Sequence, residues 1–95
     1  MVSIAALFLE IRIEHAQSLK DKRQVLKSLK DRLHGRFNVS VAETDFQSQW
    51  QLAELVVVTV ASSRQIAENT MLRVEQMAAD HLTGGLVRAD LEWLD

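Results

Sequence analysis

The chain contains no cysteine, no proline and no tyrosine, and its three glycines stand at positions 35, 84 and 85. Without cysteine there is no disulfide, no thiolate zinc site and no cysteine nucleophile. Without proline, and with so few glycines, regular elements are expected to be long and loops short. Aromatic residues make up only 5% of the 95 residues. No strand has the RNP-like aromatic pattern that stacks bases on a sheet, Phe8 alone being a candidate for the outer face, and no GXXG clamp loop is present. Gly84-Gly85 precedes a strand pattern and not a helix, so a phosphate-cradling glycine loop is absent as well. The apolar start, Val2 to Leu9, has no basic residues before it and runs into alternating Glu10, Arg12 and Glu14. It reads as a strand, not as a signal peptide or membrane span, and the default expectation is a cytoplasmic protein.

What is present is ordinary for a globular protein: 47% hydrophobic and 25% charged residues. The length predicts a single domain over residues 1–95. Charge is where the chain departs from the ordinary. The net charge is −2, but the stretch from Lys20 to Arg36 holds seven of the eleven basic residues and only Asp21 and Asp31 among the acids. That segment carries +5, which leaves −7 on the remainder. Overall charge therefore does not draw this protein to nucleic acid, whereas one located face of it is strongly positive.

Hydrophobic spacing orders the elements. Leu7, Leu9, Ile11 and Ile13 alternate with Phe8, Glu10, Arg12 and Glu14, the period of a half-buried strand. Ser18 is a good N-cap with Asp21 at N3, and Leu19, Leu26, Leu29 and Leu33 then recur at helical spacing, ended by Gly35 as a left-handed C′ residue. Lys22 falls inside this apolar stripe, where a lysine either snorkels over the sheet edge or pairs with a carboxylate. Phe37, Val39 and Val41 begin a second strand, and Asp45 to Gln49 is a polar turn. The run LVVVTV inside a third strand, about Trp50 to Ala61, is apolar on both faces, as in a central strand. Ser62 or Ser63 caps a second helix with an expected inner face of Ile66, Thr70, Val74, Met77 and His81. Thr83-Gly84-Gly85 ends it, and Val87, Ala89, Leu91 and Trp93 are expected inward on a last strand. Trp50 is expected to pack against the start of the first helix.

The order β-α-β-β-α-β with right-handed crossovers predicts an α+β, ferredoxin-like fold: a four-stranded antiparallel sheet of order 4-1-3-2 with two helices on one face. Because Val56, Val58 and Val60 lie opposite Leu55 and Val57, one set faces away from the helices. Monomers avoid such an apolar patch, so homodimerisation through the sheet face is expected, with Phe8 and Ala6 extending the surface.

The segment SLKDKRQVLKSLKDRL, followed at once by RFNVSVAE, with the later Trp50 and the closing Leu91-Glu92-Trp93-Leu94, resembles the YlxP-like family of small bacterial proteins. The resemblance spans essentially the whole chain. It implies a ferredoxin-like α+β domain of uncharacterised function in a cytoplasmic setting. Members are often encoded beside translation initiation and ribosome-maturation factors, so the resemblance implies RNA or ribosome association by neighbourhood alone. No catalytic residue is carried over from it.

Lys20, Arg23, Lys27 and Lys30 share roughly one quadrant of the first helix, and with Arg36 they form the expected binding face. Structured RNA or a ribosomal particle suits such a face, and so does an acidic protein partner. The bland reading stands beside both: Lys and Arg are good helix formers that keep a surface helix solvated, here partly paired with Asp21 and Asp31. Glu14, His15, Glu43, Asp45 and His81 are brought toward one edge by the topology, the raw material of a metal site or general base. None of the three histidines has a ligand spacing, and acids at strand ends are common. No catalytic residue, metal, cofactor or small-molecule substrate is assigned. The chain is read as a binding module and not an enzyme.

Overall fold

The computed structural model describes all of residues 1–95. The elements are β1 (Ser3–Arg12), α1 (Leu19–Arg36), β2 (Ser40–Asp45), β3 (Leu52–Ala61), α2 (Arg64–Leu82) and β4 (Leu86–Trp93). The sheet is antiparallel with order β2-β3-β1-β4, the expected 4-1-3-2 order seen from the other edge. The most apolar strands, β1 and β3, are central and pair over ten residues from Ser3–Ala61 to Arg12–Leu52. Strands that alternate apolar and polar side chains are placed at the edges, where less of their surface must be buried.

One face of the sheet is closed by the two helices. Leu7, Leu9 and Ile11 of β1 meet Leu55 and Val57 of β3, Leu26, Leu29 and Leu33 of α1, and Met71 and Val74 of α2 in a single core of 16 buried residues. Burying each leucine here stabilises the fold by about 1.5–3 kcal/mol.

Three local expectations are corrected. Gly35 is not a C′ residue: α1 runs through it to Arg36, and Phe37 is the C-cap, its N–H donating to the Leu33 carbonyl. No glycine-specific conformation is needed, because the chain leaves this helix in extended geometry. In α2 the buried residues are Ala67, Met71, Val74 and Ala78, while Ile66 is half exposed. The inner face is thus turned by roughly 70° from the expected one. Two alanines let the helix lie close to the sheet, which the bulk of Ile66 does not. On β4 a bulge between Glu10 and Ile11 of its partner puts Leu86, and not Val87, beside the core. Trp50 is 52% exposed in the turn before β3, next to Gln49, whose carbonyl meets Lys22 of α1.

Both helix starts follow their sequences. Ser18 Oγ accepts from the Asp21 N–H at 3.0 Å, and Asp21 Oδ2 accepts in return from the Gln17 N–H. Ser63, not Ser62, caps α2 through the Ile66 N–H.

Candidate functional site

The positive segment divides once the helix is packed. At ~100° per residue, Lys20, Arg23, Lys27 and Lys30 stay together on the flank of α1 away from α2. Lys20, Arg23 and Lys27 are exposed and Lys30 is half buried. Arg36 lies outside this quadrant. It falls on the opposite flank with Arg32, and both line a groove shared with Arg73 of α2. Lys27 is not free, because its Nζ donates to Asp31 Oδ2 at 2.8 Å across one helical turn. This hydrogen bond, aided by the charges of Lys27, His34 and Lys30, holds the Asp31 carboxyl below its usual pKa against the opposing effect of desolvation. The pair is fully exposed and contributes little to stability.

Lys22 leaves the surface altogether. It is 1% exposed, and its Nζ donates to the carbonyl oxygens of Phe46 at 2.6 Å and Gln49 at 2.8 Å. Glu43 stands opposite Leu55 in the β2–β3 register, so its side chain points to the helix layer. There its Oε2 lies 2.9 Å from Lys22 Nζ. That oxygen is buried and takes no well-aligned hydrogen bond, so the ammonium charge is its compensation. The lysine thereby clamps the 46–49 turn, in which Phe46 has φ 61°. A bulky residue in that region costs about 1–3 kcal/mol and persists only where its surroundings hold it. The role is structural: of the two readings open to Lys22 in the sequence, pairing with a carboxylate is the one realised.

The expected edge constellation separates. Glu14, His15 and His81 line one hollow of about 690 Å³, with Arg12, Gln24 and Ser28, between α1, the C-terminal end of α2 and the end of β1. Glu43 is committed to Lys22, and Asp45 Oδ1 accepts from the Phe46 N–H. No group of three or more histidine and acidic side chains has the arrangement to hold a metal ion. Burial, with a smaller contribution from the charge of Arg32, lowers the pKa of His81 below its ordinary value of 6.5.

The face of the sheet opposite the helices carries Ile4, Ala6 and Phe8 of β1 directly across from Val60, Val58 and Val56 of β3. Ser40 and Ala42 of β2 lie across from Val58 and Val56, and Glu92 and Asp90 of β4 across from Ala6 and Phe8. Valine and phenylalanine therefore form a strip down the middle, bordered on one side by acids. No helix crosses this face.

A family model described as "Protein of unknown function (DUF503)" matches residues 4–90, nearly the whole chain. The chain belongs to this family. The "Uncharacterized protein YlxP" of Bacillus subtilis (strain 168) is 42% identical over 65 residues, which cover 68% of this chain and 71% of that protein. Among solved structures, the de novo designed protein Foldit4 superposes with a TM-score of 0.61 at 8% identity over 100% of this chain and 98% of its own. The designed protein LFR1 1, with a ferredoxin fold, gives 0.53 at 12% identity over 98% and 83%. A C-terminal segment of the alpha subunit of aIF2 from Pyrococcus abyssi gives 0.51 at 16% identity over 98% of this chain and 50% of that one. At such identities the likeness concerns the fold, which is ferredoxin-like.

The clamp formed by Lys22, Glu43 and the 46–49 turn is the constellation that reading along the chain did not assemble. Its sequence signal is the lysine on an apolar stripe, which needs a buried acceptor. The convergence of Arg32 and Arg36 with Arg73 carries no such signal, since the two segments are joined only by the packing of α1 beside α2.

Proposed function

We propose that this protein is a binding module that associates with structured RNA, or with a ribosomal particle, through Lys20, Arg23, Lys27 and Lys30, with Arg36 at the end of the same helix. The observation that carries the reading is the absence of ion-pair partners for Lys20, Arg23, Lys30 and Arg36 on a chain that is acidic elsewhere. Solubility alone does not call for that segregation, whereas phosphates at the spacing of a nucleic-acid backbone match a row of cations along a helix. An A-form helix offers mainly backbone and shape to such a surface, consistent with the lack of stacking aromatics. With about four phosphate contacts, raising salt from 50 to 200 mM is expected to weaken binding roughly a hundredfold. Lys27→Glu with Lys30→Glu is expected to weaken it across sequences alike. Filter binding with a structured RNA, and co-sedimentation with ribosomal particles at low and high salt, test this. Affinity that ignores both salt and charge reversal refutes it. A charge-dependent association that survives ribonuclease assigns the face to an acidic protein partner instead.

A second reading concerns the bare sheet face and commits to a second copy of the chain. Ten-residue central strands in a four-stranded sheet span an area of about 34 by 19 Å, roughly 650 Å². That approaches the ~800 Å² per partner of a standard stable interface. A homodimer is the expected state by light scattering, and Val58→Asp is expected to convert it to monomer. A wild-type mass that stays monomeric at all concentrations removes this reading.

A further inference from the structure

The groove between the C-terminal half of α1 and the middle of α2 gathers unpaired positive charge. Arg32 and Arg36, one turn apart on α1, and Arg73 on α2 line a hollow of about 410 Å³ together with Phe37, Asp80 and His81. The molecule's ion pairs are Lys22–Glu43, Lys27–Asp31 and Arg88–Asp90, so none of these three arginines has an acidic partner. Asp80 accepts from Gln76 Nε2 at 3.3 Å and leaves the groove with a surplus of two positive charges. The Arg73 guanidinium sits 5.5 Å from the centre of the Phe37 ring, which orients it across the groove.

The bland explanation is that cations at a helix C-terminus offset its dipole. It accounts for Arg36, in the last turn of α1 with His34. It does not account for Arg32 one turn earlier, nor for Arg73 in the interior of α2. The dipole end amounts to only about half an elementary charge.

We propose that this groove is a binding site for a phosphoryl group, held by the guanidinium groups of Arg32 and Arg36 from one side and Arg73 from the other. Guanidinium is planar, weakly hydrated and donates in pairs, which suits a tetrahedral phosphate better than the point charge of a lysine. The volume leaves room for a substituent on that phosphate, and Phe37 supplies an apolar wall for it. The site is distinct from the lysine-rich flank of α1 and deepens the anion-binding reading above, with which it shares Arg36. The phosphate belongs either to a free phosphate ester or to a nucleic-acid chain.

His81 reports on occupancy. Its pKa is lowered by burial and then by Arg32, with Asp80 on its own helix and Arg12, Glu14 and His15 facing it from the end of β1. An anion on Arg32 offsets that repulsion and moves the pKa back up.

The test is NMR titration of the full chain with inorganic phosphate, with adenosine monophosphate, and with a short structured RNA hairpin. Arg73→Gln, Arg32→Gln and, as a control on the far flank, Lys20→Gln with Lys27→Gln are run alongside. All substituted side chains are exposed, and circular dichroism checks their folding. The expected result is saturable shifts at Arg32, Arg73 and His81, with affinity for phosphate and its monoester reduced about tenfold or more by either arginine substitution and little by the lysine pair, whose loss weakens RNA alone. Saturation by phosphate or its monoester without RNA binding supports the groove site and overturns the RNA reading. RNA binding that ignores Arg73→Gln but falls with the lysine control overturns the groove site and leaves the RNA reading standing. Absence of saturable shifts with all three probes overturns the groove site outright.

Discussion

Replacing Lys22 by methionine tests the physical account of this fold most severely. Methionine has nearly the same length and volume, so the substitution removes charge and hydrogen bonds without opening a cavity. It withdraws two donors, at 2.6 and 2.8 Å, from the carbonyls of Phe46 and Gln49, and the only compensating charge from Glu43 Oε2. Breaking a fully buried pair from one side costs about 3–5 kcal/mol. The Glu43 side chain keeps 23% of its exposure, and water admitted there lowers the expected loss to about 2–4 kcal/mol. A domain of this size has about 5–14 kcal/mol in total, so the loss is a large part of it and lowers Tm by roughly 10–25 °C. Urea denaturation gives the magnitude, and Glu43→Gln completes a double-mutant cycle with an expected coupling of about 1–2 kcal/mol. Amide exchange at Gln49, whose N–H donates to the Phe46 carbonyl, is expected to quicken beyond the global change as the turn loosens. A Lys22→Met protein within about 0.5 kcal/mol of wild type, or strictly additive single substitutions, refutes the clamp.

The glycines make opposite predictions. Gly35 lies inside α1 with no heavy atom within 4 Å of where a Cβ would stand. Gly35→Ala is expected to stabilise the protein by about 0.5–1 kcal/mol in urea denaturation, and a loss would restore a special role for that position. At Gly85 an added Cβ would lie 2.5 Å from the Arg12 carbonyl oxygen, beside the 2.7 Å hydrogen bond from the Arg12 N–H to the Gly85 carbonyl. Gly85→Ala is expected to cost about 1–3 kcal/mol by the same assay; a neutral result would mean that this junction yields freely. His81 has a folded pKa below its ordinary 6.5. As pH falls below 6.5 the unfolded chain takes up the proton first, so stability is present above that value and drops until the folded pKa is passed. Stability of the His81→Gln protein is expected to be flatter across that interval, and a pH dependence identical to wild type would contradict the assignment.

Much of the architecture was legible along the chain because it follows from local periodicity and connectivity. Period two in Leu7 to Ile13, period 3.6 in Leu19 to Leu33 and the caps at Ser18 and at Ser62 or Ser63 are local properties, and short right-handed crossovers leave few ways to join six such elements. The apolar strip on the open sheet face was legible for the same reason, since strict alternation sends Val56, Val58 and Val60 to the side opposite Leu55 and Val57. The rotation of α2 was not, because Ile66 and Ala67 head two helical tracks of equal period. Only the closeness of α2 to the sheet selects the small residues Ala67 and Ala78.

The candidate sites divide along the same line. The abundance of positive charge between Lys20 and Arg36 is a property of the sequence by itself. Its fate is not. Lys22 is withdrawn by Glu43 and a turn more than twenty residues away, and Arg32 and Arg36 are turned toward Arg73 by helix–helix packing. Electrostatic partnership depends on distances of a few ångströms between residues distant in the chain. The sequence determined which elements form and how many charges they carry; the tertiary structure decided which of those charges remain free.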